Sequence, residues 1–127
     1  MRSKSYCIPV NPISWKKGFS TAQKLFDNQS RDHITFHLSL ENIHGPEPIF
    51  SGSVKLECCF YIRHGKNRPV VKDQHHIYSP PISDLYKFLI EGLKGIVISE
   101  EKIICELLMS KAYDTNPRTE FTITEVC

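Results

Sequence analysis

At 127 residues, with 40% hydrophobic and 24% charged residues, the chain has the length and balance of a single domain with its own core. A formal charge of +2 excludes a uniformly basic surface built to coat a polyanion, so any nucleic-acid contact must come from local clusters. No apolar run reaches membrane-spanning length, and the five cysteines form no Cys-x-x-Cys pair.

The opening MRSKSYCIPV lacks the apolar core of a signal peptide, which leads us to expect a cytoplasmic protein. Within it, Tyr6-Cys7-Ile8-Pro9-Val10 alternates apolar residues and predicts a strand, with Pro9 marking an edge or a strand end. Asn11-Pro12 turns the chain. Trp15 beside Lys16 and Lys17 sets an aromatic ring next to two amines. Such a group can stack on a base while neutralising phosphate, although a lone tryptophan is more often a core plug. Residues 30–44, SRDHITFHLSLENIH, carry two patterns at once. Strict alternation of Ile34, Phe36, Leu38 and Leu40 favours a strand, whereas Ser30 as N-cap and a stop at Gly45-Pro46 suit a helix. We expect helix. His33 and His37 then stand one turn apart, a spacing open to a transition metal, but the local sequence places no third ligand.

Ser53 to Ile62 is the cleanest strand, with Val54, Leu56, Cys58, Phe60 and Ile62 on one face and Lys55, Glu57 and Tyr61 on the other, as expected at the centre of a sheet. The segment RHGKNRPVVKDQHH follows as a loop broken by Gly65 and Pro69. Its Arg63, Lys66, Arg68 and Lys72 form the densest basic patch in the chain and suit phosphate contact. Ser79-Pro80-Pro81 holds the backbone extended, Ser83 is the expected N-cap, and apolar residues at 85, 88, 89 and 93 predict a helix ended by Gly95. Asp84, Lys87 and Glu91 form a polar row on another face, and the acidic pair Glu100-Glu101 follows. From Ile103 to Met109 the apolar content predicts a strand buried on one face and largely on the other. Arg118 to Val126 predicts a last strand, paired antiparallel to it across the turn at Asp114-Thr115-Asn116-Pro117. Cys58, Cys59 and Cys105 lie in strand-like runs and read as small buried hydrophobes of a reducing compartment. Together the elements predict one α/β (α+β) domain over residues 1–127, a mixed sheet with helices packed on it.

The stretch from Ser79 to Glu101 resembles the signature of the RusA-type Holliday junction resolvases. Their pattern runs Lys-Pro-Asp-Ile-Asp-Asn-Leu-x-Lys-Phe, then Leu-Asp-x-Leu-Asn-Gly-Ile, then Asp-Asp; here it stands as SPPISDLYKF, LIEGLKGI and SEE. LFDNQSRD before it and KAYDTNPRTEFTITE after it extend the resemblance to nearly the whole chain. It implies a RusA-like fold, with a helix at residues 30–44, and a homodimer acting on four-way DNA junctions in recombination and repair. It also implies a magnesium-dependent endonuclease with Lys87 and Glu101 as catalytic residues and Glu100, Glu101 and Asp84 as metal ligands. Glu91 stands for an aspartate of the family's helix, and Lys16, Lys17, Arg63, Lys66, Arg68 and Lys72 for DNA contacts. The family's two metal-binding aspartates fall on Pro81 and Ser83. Two readings follow: a junction resolvase whose catalysis is weak or lost, and a fully active magnesium-dependent endonuclease using Asp84, Glu100, Glu101 and Lys87.

Overall fold

Strand β2 (Val54–Ile62) alternates buried and half-buried residues along its whole length. In the computed structural model, which describes residues 2–14, 31–63 and 81–126, it lies inside a four-stranded mixed sheet. With β1 (Ser3–Ile8), β3 (Ile104–Tyr113) and β4 (Arg118–Glu125), the strand order is β1-β4-β2-β3. β4 pairs antiparallel with both β1 and β2, and β3 pairs parallel with β2. Leu56, Cys58 and Phe60 stand opposite Ile123, Phe121 and Thr119, and Tyr6 opposite Phe121, so one face carries the core. Helices α1 (Arg31–His44) and α2 (Ile82–Leu93) bury their apolar residues in the same cluster. The opposite face is mostly polar, with Ser5 and Thr122 hydroxyls 2.8 Å apart across β1 and β4.

Two expectations for the C-terminal strands are overturned. β3 and β4 do not form a hairpin; they flank β2 on opposite sides. The short connection after Tyr113 steps across two strand spacings, about 10 Å, over the end of β2. There the Asp114 N–H donates to the Ile62 carbonyl (3.1 Å), and the Asp114 carboxylate accepts from the Asn116 N–H (2.9 Å). Arg118 closes the step, its guanidinium 3.3 Å from Asp114 and 3.9 Å above the Tyr61 ring. β3 is also not buried. As an edge strand it leaves Cys105, Glu106, Leu107 and Leu108 exposed, so Cys105 is not the buried hydrophobe expected. Cys58 is buried as expected, and burial, with the neighbouring Cys59, pushes its thiol up to about 12.

The conflict over residues 30–44 resolves as helix. Phe36, Leu40 and His44 are buried at i, i+4 and i+8, while Leu38 is 62% exposed, so the apolar alternation is not expressed. Ser30 lies outside the described residues. α1 meets α2 where Phe36 packs edge-on against Phe88, ring centroids 5.2 Å apart. Beside that contact a Cβ on Gly92 would stand 2.8 Å from Phe36 Cε1, closer than a side chain can sit. Gly92→Ala is therefore expected to destabilise by about 1–3 kcal/mol despite the helix preference of alanine. Gly52→Ala, with nothing within 4 Å, is the neutral comparison. Equal melting temperatures for the two variants would remove the close approach.

Under β1, His44 is 3% exposed, and its Nδ1 shares a 2.8 Å hydrogen bond with the Tyr6 hydroxyl. The Tyr6 ring stacks on Phe121 at 4.6 Å. Burial lowers the His44 pKa below its usual 6.5, helped by the nearby Lys4 and Arg2 charges and opposed by the Pro48 carbonyl. His37 is lowered too, chiefly by burial, with Glu41 opposing. Because both folded-state values lie below the unfolded one, the unfolded chain binds protons first as pH falls. Their contribution is complete above about pH 6.5 and is lost as pH drops towards the folded-state values. Melting temperature is expected to fall between pH 7.5 and 5.5, and His44→Gln to flatten that slope. An unchanged slope in the variant assigns the effect to other groups.

Candidate DNA-processing site

α2 begins two residues earlier than expected. Pro81, not Ser83, is its N-cap, with φ −67° and ψ 151° and no side-chain capping bond. Proline suits the start because its missing N–H costs nothing there, and its carbonyl accepts the Asp84 N–H at 3.1 Å. Ser83 therefore sits within the first turn and keeps its side chain for the surface. Leu85, Phe88, Leu89 and Leu93 are buried and Gly95 at φ +84° turns the chain away from the helix end, both as expected; Ile90 is buried as well.

After this turn the chain is pinned to the core. The Phe50 N–H donates to the Val97 carbonyl (2.7 Å) and the Ser99 N–H to the Phe50 carbonyl (2.9 Å). That clasp delivers the 3-10 turn Glu101–Ile103 beside α2. Ser83, Tyr86, Lys87, Ile90 and Glu91, spaced at i, i+3, i+4, i+7 and i+8, line a depression of about 280 Å³ together with Glu101.

The acidic groups do not converge. The Tyr86 hydroxyl donates to Glu101 Oε2 at 3.0 Å, Glu91 pairs with Lys94 at 2.9 Å, and Glu100 pairs with Lys102 at 3.2 Å. Asp84 is not among the lining residues; one position beyond Ser83, it is rotated by about 100° around the helix. Burial, and then the bond to Glu101 and its charge, hold the Tyr86 phenol well above its usual range. The phenol stays protonated and remains a donor. Tyr86 is absent from the sequence expectations because it falls on an unspecified position of the signature. Its spacing of three from Ser83 and four from Ile90 was the available signal.

Of the expected DNA contacts, Arg63 is described, exposed just beyond β2. Lys16, Lys17, Lys66, Arg68 and Lys72 lie outside the described residues, as does the His33 side chain. His37 packs edge-on against Phe36 at 5.7 Å, a core-edge histidine. No helix among the described residues is long and apolar enough to cross a membrane.

A mixed sheet with a crossover helix that sets Lys87, Glu91 and Glu101 around one depression is an α+β frame. The sequence profile of Endodeoxyribonuclease RusA matches residues 14–124, and the chain belongs to that family of divalent-metal nucleases acting on branched DNA junctions. No curated protein matches it. Magnesium requires a near-octahedral set of oxygens, of which a protein usually supplies one or two carboxylates and water or substrate phosphate the rest. Glu91 and Glu101 both line the depression, but they are engaged by Lys94 and Tyr86, so as placed they do not fit as free ligands. Among the described residues no three of His, Cys, Asp and Glu cluster to hold a metal, so Glu100, Glu101 and Asp84 are not brought together as ligands.

A double-mutant cycle of Tyr86→Phe with Glu101→Gln is expected to show a coupling of about 0.5–1 kcal/mol, small because water reaches the carboxylate. Strictly additive losses in chemical denaturation would remove the bond as a structural element.

Proposed function

We propose that this protein binds four-way DNA junctions as a homodimer in recombination and repair, and cuts them slowly or not at all. The observation that carries this reading is Ser83. It lines the depression shared by Lys87 and Glu101, at the position where the resembled signature has a metal-binding aspartate. A hydroxyl brings no negative charge to hold a hard cation, and Pro81, at the other aspartate position, brings no oxygen from its side chain. Lys87 offers an ammonium to a phosphate at the depression, and Tyr86 fixes the Glu101 carboxylate beside it. Arg63, Lys66, Arg68 and Lys72, with Lys16 and Lys17, supply sequence-independent phosphate contacts. The two-fold symmetry of a junction calls for a matching two-fold assembly. Unpaired thiols suit a reducing cytoplasm.

The test is cleavage of a mobile four-way junction in magnesium, with binding measured separately at rising salt. The unaltered protein is expected to bind, to lose affinity steeply with salt, and to produce little or no nicked product. Changing Arg63, Lys66 and Arg68 together to alanine is expected to weaken binding. Ser83→Asp is expected to raise cleavage by about tenfold or more, equivalent to at least about 1.4 kcal/mol of transition-state stabilisation. Symmetric nicking by the unaltered protein at a useful rate, abolished by Glu101→Gln, would overturn the loss of catalysis and make the Glu100, Glu101 and Asp84 set a working metal site.

A further inference from the structure

The imidazole of His44 closes the end of α1 against β1 with part of its hydrogen-bonding capacity unused. Its Nδ1 meets the Tyr6 hydroxyl, but its Nε2 is buried without a partner, and so is the Nε of Arg2 beside it. Burial pushes the Tyr6 phenol up to about 12, so the phenol stays protonated and donates to the neutral ring. From β1 the ring faces the Arg2 guanidinium and the Lys4 ammonium. From the segment after α1 it faces the Pro48 carbonyl, which accepts from Arg2, and Glu47, which is taken up by Lys4. β4 contributes Phe121, stacked on Tyr6, and α1 contributes Glu41, which is exposed and acts on His37. Among the described residues no carboxylate pairs with the ring itself.

These contacts lead to the depression. Arg2 lies over the Phe50 ring at 3.8 Å, and Phe50 exchanges backbone hydrogen bonds with Val97 and Ser99, the clasp that sets Glu101 beside α2. We propose that His44 is the trigger of an acid-released latch: when protonated, it parts segment 47–50 from β1 and opens the Phe50 clasp that holds Glu101 in place. A charged ring donates from both nitrogens. The Tyr6 hydroxyl then has to turn its hydrogen away into the core, Nε2–H has no acceptor, and a third positive charge stands beside Arg2 and Lys4. Lifting the helix end and the segment after it away from β1 gives the ring to water and separates it from both charges. Little opposes that movement. Gly45 at φ +61° turns the chain off α1, and residues 45–49 are all exposed, so the apolar burial at stake is chiefly that of Phe50. The latch is a property of the fold and does not depend on what the depression binds.

The experiment is amide hydrogen exchange on the full chain at pH 7.5 and 5.5, corrected for the intrinsic rates, with His44→Gln in parallel. Over that interval one histidine of ordinary pKa about 6.5 changes an opening equilibrium by about tenfold at most. The Phe50 and Ser99 amides are expected to lose about five- to tenfold in protection at pH 5.5 and to stay less protected than the β2 amides. In His44→Gln the loss is expected to vanish. An equal loss in His44→Gln overturns His44 as the trigger. Phe50 and Ser99 amides as protected as those of β2 at pH 5.5 overturn the latch, because the segment then opens only when the whole domain unfolds. If His44→Gln does not fold, Lys4→Met decides: it removes one of the two charges facing the ring and is expected to shrink the loss, and a loss unchanged or enlarged overturns the proposal.

Discussion

The burial of one face of α2 on the sheet is the constraint from which the site follows. A helix of 12 residues with no side-chain N-cap has little stability of its own. Leu85, Phe88, Leu89, Ile90 and Leu93 hold it, each burial contributing about 1.5–3 kcal/mol before the entropy of ordering is counted. That burial fixes the rotation of the helix, so Ser83, Lys87 and Glu91 are turned outward, with Tyr86 at the border. Gly92 then sets how closely α1 approaches, since the Phe36 ring occupies the space a side chain would need. Packing in the core thus determines which groups face the depression.

Much of this was legible in residue order because burial imposes a period. β2 is covered by a strand on each side and by helices on one face, so its alternation is strict; α2 has one buried stripe, so its spacing is helical. The failures have physical reasons. A turn at Asp114 to Pro117 serves equally for a hairpin and for a step over an intervening strand. What distinguishes them is the parallel β2–β3 pairing, set by the crossover through α2 and not by the turn. Leu107 and Leu108 read as core because an apolar edge and an apolar interior use the same residues. The alternation of Ile34 to Leu40 misleads in the same way, since Leu38 is apolar but outward. At the helix start, a serine two residues after a proline looks like a cap, but the proline is already in position.

In this chain the family's frame carries different side chains at several positions of the resembled signature. Family membership fixes the frame, and the depression keeps the signature's lysine as Lys87, with Glu91 and Glu101 at positions where the signature has aspartates. Yet each glutamate nearby is engaged by a neighbour: Glu101 by a phenol, Glu91 and Glu100 by lysines.

β4 is the last strand in chain order and yet lies inside the sheet, between β1 and β2, with Ser3 opposite Thr124. Until it arrives, β1 and β2 share no strand partner, and β1 meets the rest of the chain only through α1 and the segment after it, at His44, Glu47 and Pro48. Folding therefore has to close its longest loop to join the two parts, a topology of high contact order in which the rate is set by the chain ends finding each other. Shortening the chain from its C-terminal side would take away the strand that connects the halves, so such a fragment would present open strand edges to other chains instead of a slightly smaller domain.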